Sequence, residues 1–211
     1  MPTIDAMLNT FATLFVTIDP AGLLPIFLAV TAGMKASERR SVAVNSIIIA
    51  FVLLIIFALA GSTILDTLGI TIHAFKIAGG LMLFYIAFEM IFEKRQARHE
   101  KSSQTALTKD DISNIAVFPM AIPMIAGPGA ISATILLAEN FGETWSGFGI
   151  LVLLIASVMA LLLATFLLAD YIDKAIGTTG RNILSRLMGV LLAALSVQFV
   201  ADGITALASA A

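Results

Sequence analysis

The chain has 211 residues, of which 59% are hydrophobic and only 12% charged, with a formal net charge of −2. Mean hydropathy is +1.02, and the few charges are gathered between long apolar runs, a pattern that no soluble fold can arrange without exposing large greasy surfaces. The absence of cysteine excludes disulfides, thiolate metal sites and thiol nucleophiles, and no basic, aromatic-interleaved face offers itself to nucleic acid.

A bilayer core of about 30 Å needs about 20 mostly apolar helical residues. Six segments meet that requirement in chain order: Leu8–Ala32, Val42–Leu65, Phe75–Phe92, Ile115–Ala138, Phe148–Ala169 and Leu187–Ala208. Ahead of the first, Met1 to Leu8 carries Asp5 and no cationic region, so this segment reads as a retained span rather than a cleaved signal. No acceptor for myristoylation or prenylation is present.

Three connections hold the cations. Lys35, Arg39 and Arg40 follow segment one. Lys94, Arg95, Arg98, Lys101 and Lys109 follow segment three, and Lys174, Arg181 and Arg186 separate segments five and six. Eleven of the twelve basic residues therefore share one side, with Lys76 the exception. By the positive-inside rule that side is cytoplasmic, and both termini lie outside.

Residues 93–113 form a polar connection that divides the chain into a three-span unit, 1–92, and a second one, 114–211. An odd number of spans per unit turns the second upside down. Asp19-Pro20-Ala21-Gly22 in segment one matches Gly127-Pro128-Gly129-Ala130 in segment four at an offset of 108. Lys76 to Gly79 in segment three matches Arg186 to Gly189 in segment six at an offset of 110. Weak similarity with interrupted spans in corresponding places marks an inverted-repeat transporter. The expected fold is all-α, with six transmembrane helices in two inverted three-helix repeats and breaks in helices one and four.

The breaks carry the functional expectation. Proline lacks an amide hydrogen and clashes with the preceding turn, and unpaired backbone survives in hydrocarbon only against protein or water. Segment one has Pro20, Gly22 and Pro25; segment four has Pro119, Pro123, Gly127, Pro128 and Gly129. If both unwind near mid-membrane, free amides can hold a carboxylate and free carbonyls an ammonium, a geometry suited to an amino acid. Asp19 stands at the first break, where an acidic group costs on the order of 3 kcal/mol to insert. It either caps the helix that follows or couples protons and binds a substrate ammonium; the two roles are compatible. Thr17 and Ser132 are candidate side-chain contacts.

Other polar residues read more plainly. Glu89 is placed at the membrane rim by snorkelling, Asp66 and His73 flank an external turn, and Lys76 and Arg186 anchor opposite faces. Gln198 either faces a cavity or bonds a neighbouring helix. Small residues at Ala156, Ala160 and Ala164, and at Gly189 and Ala193, allow close helix packing within the subunit or at a homo-oligomer face. No catalytic dyad, metal cluster or cofactor motif is present: paired intramembrane aspartates are missing, and neither His73 nor His99 is placed to assist a serine. An enzyme is not expected. A channel or a non-transporting scaffold stands as the alternative to a transporter.

Three stretches resemble the MarC family, also described as the six-helix neutral amino acid transporter family. They are Phe15 to Phe27, Pro119 to Ile131, and Arg186 to Gly189 through Gln198 to Asp202-Gly203. The resemblance runs nearly end to end. It implies a bacterial inner-membrane protein and, for some members, movement of small neutral amino acids with a proton gradient. On that reading the partners are a small-molecule substrate, protons and the lipid bilayer. Asp19, Pro20 and Gly22 would line one side of a central site, and Gly127, Pro128 and Gly129 the other.

Overall fold

The computed structural model describes residues 3–92, 115–141 and 144–210; the connection expected at 93–113, with Lys94, Arg95, Arg98, His99, Lys101 and Lys109, lies outside them. Every regular element among the described residues is helical.

The first span is two helices, α1 (Ile4–Ile18) and α2 (Pro20–Val30), separated at Asp19. Thr3 opens α1 by accepting from the Ala6 amide at 3.2 Å. Together they form the central post: 72% of their most apolar stretch is buried, against a third or less in the other long helices. The second span, α3 (Ala36–Thr67), has 32 residues and so a length of about 48 Å. The third is α4 (Ile72–Ile91), which starts earlier than the hydropathy profile placed it because Thr71 caps the Ala74 amide at 3.2 Å.

The fourth span is the least regular. In Ala116–Ile125, Phe118 (φ −132°, ψ 122°) and Ile122 (φ −127°, ψ 125°) are extended. Each precedes a proline, Pro119 or Pro123, whose ring disfavours helical backbone at the residue before it; both X–Pro bonds are cis. The chain resumes as α5 (Pro128–Ala138), bent by 56° from the preceding stretch. After a short turn at Glu139–Phe141 come α6 (Trp145–Leu167) and α7 (Ala169–Ala210). Among the described residues five helices are long and apolar enough to cross a membrane, and six spans result when the bent pair is taken as one.

The connection expected between segments five and six is helical instead. α7 begins at Ala169 and is interrupted only at Gly177 (φ 65°, ψ 176°), a left-handed φ that suits glycine. Asp173 and Arg181 pair across that interruption. A polar sequence without proline can wind outside lipid as readily as inside it, so low hydropathy marked the surface here and not a loop.

α4 and α7 run antiparallel in close contact, and glycines set the distance. A Cβ on Gly80 would lie 2.8 Å from the Ser196 carbonyl oxygen, and one on Gly189 would lie 3.1 Å from that of Ala87. Gly203 packs in the same way on the His73 carbonyl, with 2.9 Å for its would-be Cβ. Small residues that let backbones approach are the usual membrane packing device. Gly189 thus packs within the subunit as expected, whereas Ala160 and Ala164 are exposed and serve no such contact.

Two correspondences between the halves are geometric. α2 and α5 each have 11 residues and each begin on the proline after the break. Gly80 of α4 meets Ser196 and Val200 of α7, while Gly189 of α7 meets Ala87, Met90 and Ile91 of α4.

Candidate functional site

Both interruptions are real, and they adjoin. Asp19 takes up φ 56° and ψ 71°, left-handed backbone that no other non-glycine residue adopts among those described. Asp and Asn tolerate that region better than most side chains. The Asp19 amide still closes α1 on the Phe15 carbonyl at 3.0 Å, and its carbonyl starts α2 by accepting from Leu23 at 3.0 Å. One residue therefore serves as the end of one helix and the beginning of the next. Its place along the span follows from length: the 15 residues of α1 put it about 22 Å from Ile4, a little past the middle of the 27-residue span Ile4–Val30.

The carboxylate, 3% exposed, is held from two sides. Oδ1 accepts from the Gly22 amide at 3.0 Å, the helix cap anticipated from sequence. Oδ2 accepts from the Ser185 hydroxyl at 3.1 Å, which ties the first break to α7 across 166 positions. Gly22 makes room for this arrangement: a Cβ there would stand 2.2 Å from Oδ2 and 2.8 Å from Cγ of Asp19. Its value in the site is the empty volume beside the acid, more than backbone looseness.

The second break is capped differently. Gly127 (φ −82°, ψ 172°) precedes Pro128 and supplies no side chain to the amides of α5; its carbonyl accepts from Ile131 at 3.0 Å. A Cβ on Gly127 would lie 2.4 Å from the Pro123 carbonyl oxygen, so the chain doubles back tightly there. Gly129 brings the breaks together: its would-be Cβ lies 3.5 Å from the Thr17 methyl and 2.2 Å from Cδ1 of Ile86 on α4. Ser132 is buried one turn further along α5, its hydroxyl 3.9 Å from the Met82 sulfur.

Thr17 continues a polar stripe. Thr10, Thr13 and Thr17 are each 2% exposed or less and share one face of α1. The Thr17 hydroxyl donates to the Thr13 carbonyl at 2.6 Å, Thr13 donates to the Asn9 side chain at 3.3 Å, and the Thr10 hydroxyl is buried without a partner among the described residues. Three hydroxyls at helical spacing in an apolar span were a legible signal. Ser185 was not, because nothing local distinguishes it from a surface serine.

Three outlying expectations resolve. Glu89 is 4% exposed and lies inside the bundle, not at the rim: the close approach of Gly189 to Ala87, Met90 and Ile91 covers that end of α4. Gln198 is exposed and donates to Asp202 on its own helix at 2.7 Å, so it faces no cavity. Lys76 pairs with Glu139 at 3.1 Å, close to the end of the molecule where α1 begins. A cavity of about 550 Å³ opens at that same end between α3, α5 and α6, lined by Phe57, Asp66, Ile135, Glu139, Trp145 and Phe148 among others.

At the opposite, basic end, a half-buried Arg39 pairs with an exposed Asp170, both beyond the apolar segments. The hydrogen bond from Arg39 holds the Asp170 carboxyl below the usual carboxylate range.

The sequence as a whole finds counterparts in known proteins. The profile of the MarC family integral membrane protein matches residues 4–208. The chain belongs to the MarC family. A membrane protein of Methanocaldococcus jannaschii is 38% identical over 208 residues, covering 98% of this chain and 90% of the relative. The membrane protein YhcE of Escherichia coli K12 is 35% identical over 198 residues, with 92% and 89% covered. YvbG of Bacillus subtilis, another membrane protein, is 34% identical over 204 residues, with 94% and 93% covered. No solved structure matches. Membership in the MarC family makes the chain an integral membrane protein, and the match extends across both breaks.

Proposed function

We propose that this MarC-family protein is a secondary transporter of small neutral amino acids or related metabolites, coupled to protons through Asp19 and directed towards efflux. The observation that carries the reading is the meeting of two broken helices at Thr17 and Gly129, beside a buried carboxylate on the first. The equal half-helices α2 and α5 and the reciprocal glycine contacts of α4 and α7 support two inverted repeats, 1–92 and 114–211. Rocking of one against the other then exposes the breaks alternately. Thr17, Asp19, Pro20 and Gly22 form one side of the substrate site, and Gly127, Pro128, Gly129 and Ser132 the other. The uncapped amides of α5 suit a substrate carboxylate, and Asp19 suits an ammonium or a proton. The protein sits in the bacterial inner membrane with its basic end in the cytoplasm.

Counterflow in proteoliposomes tests this. Purified protein loaded with unlabelled alanine, glycine or serine should take up the labelled amino acid transiently above equilibrium. Uptake that never overshoots and never saturates points to a channel; no flux for any small metabolite removes the transport reading.

A further inference from the structure

We infer that an aromatic and ion-pair latch between the two halves closes the basic end of the protein, and that solvent reaches Asp19 from that end only when the latch opens. Phe27 of α2 and Phe166 of α6 stack with ring centroids 4.3 Å apart and planes 7° from parallel, and neither ring is more than 1% exposed. Arg39, at the start of α3, lies 5.6 Å above the Phe27 ring. From there it donates through Nη1 and Nη2 to the two oxygens of Asp170 at 2.9 and 3.0 Å. Two parallel charge-assisted bonds fix both distance and orientation, and the cation over the ring ties the polar and apolar parts into one unit.

The ring stack and the ion pair each join a residue of 1–92 to one of 114–211, and the cation over the Phe27 ring links the two within the first half. Phe27 stands eight residues beyond Asp19 on α2, about 12 Å nearer the basic end. At the far end Lys76 and Glu139, 3.1 Å apart, again join one half to the other. An ion pair thus joins the halves at each end, and a movement that separates them at the basic end must unstack Phe27 from Phe166 and part Arg39 from Asp170. The latch regulates the site named above, and so rests on the transporter reading for its purpose, but solvent access is measured without any flux.

The chain lacks cysteine, so Ser185→Cys gives a single reporter beside Asp19, with Thr17→Cys as a second if the first is poorly folded. Labelling by a membrane-impermeant maleimide is followed in inverted vesicles, where the basic end is presented, and in intact spheroplasts. Arg39→Ala and Asp170→Ala should each raise labelling from the basic end by about five-fold or more. The double variant should label no faster than Arg39→Ala alone, since Asp170→Ala removes only the ion pair that Arg39→Ala already removes. Phe166→Ala should raise it likewise, and Lys76→Ala should not. Unchanged labelling in folded Arg39→Ala and Asp170→Ala proteins overturns the latch, as does a double variant whose effect is the product of the two. Counterflow measured on the same proteins separates the two ideas: a latch response without any transport leaves the latch and removes the transporter.

Discussion

Gly22 offers the sharpest test of the site, because two glycine substitutions in this protein should move stability in opposite directions. In Gly22→Ala the new methyl would fall 2.2 Å from Oδ2 of Asp19, a distance that forces the carboxylate to move. Moving it forfeits the bond from the Gly22 amide at 3.0 Å and that from Ser185 at 3.1 Å. Loss of an N-cap costs about 1 kcal/mol, and a side-chain bond between membrane helices contributes about 0.6–1.7 kcal/mol. Against these stands the preference of helices for Ala over Gly, at most about 1 kcal/mol. The net expectation is destabilisation by about 1–2 kcal/mol. Gly149, in the interior of α6, has nothing within 4 Å of its would-be Cβ, so Gly149→Ala should stabilise by up to about 1 kcal/mol. Unfolding in mixed micelles of rising denaturing detergent, followed by the fluorescence of Trp145, compares the two with the parent. The opposite signs matter more than the sizes. If Gly22→Ala stabilises as Gly149→Ala does, the carboxylate does not occupy the place beside Gly22, and the reading of Asp19 as a helix cap fails with it.

Asp19→Asn should preserve stability to within about 0.5 kcal/mol, since Asn caps helices as well as Asp and accepts left-handed backbone, yet it should abolish dependence of transport on a pH gradient. An Asn variant that still drives substrate against its gradient shows that another group couples the proton. Gly80→Ala should cost about 1–3 kcal/mol by overpacking, because the neighbour at 2.8 Å is the Ser196 carbonyl and backbone cannot swing aside; a melt in detergent measures it. Asp170, whose carboxyl is held below its usual range by Arg39, should contribute its stabilisation above the ordinary aspartate range and lose it only as pH falls through the lowered value. The melting difference between parent and Asp170→Asn should accordingly be flat from about pH 8 to pH 5 and shrink only in stronger acid.

How much of this was written in the chain depends on the range of the interaction. Spans are local sums of hydropathy, and the breaks at Asp19-Pro20 and Gly127-Pro128 are local chemistry, so both were legible. The helical course of Ala169 to Ile176 was not, because hydropathy reports the solvent of a segment and not its winding. Nor was the burial of Glu89, which follows from how closely Gly189 lets α7 approach α4. Ser185 meets Asp19 only after α1 and α7 are packed, and no spacing rule connects residues so far apart. The roles of Gly22 and Gly129 were half legible: glycine beside proline announced a break, but what each glycine leaves room for is a property of the assembled bundle.

The two breaks share their proline and their length but not their caps, and that difference has a consequence for where charge can reside. α2 begins on its own acid, so its amide end is already answered by Asp19. α5 begins on Gly127 and has no side-chain cap, so its partly positive end is left to backbone, solvent or a bound group. Had both carried aspartate, a second carboxylate would add its charge to that of Asp19 in a medium where like charges repel strongly; had both carried glycine, the junction would lose the Asp19 carboxylate. One acid and one open amide end together offer complementary partners for the ammonium and the carboxylate of a zwitterion. The asymmetry between an acid at Asp19 and an α5 N-terminus without a side-chain cap at Gly127 is of the kind that suits the substrate class proposed for the protein.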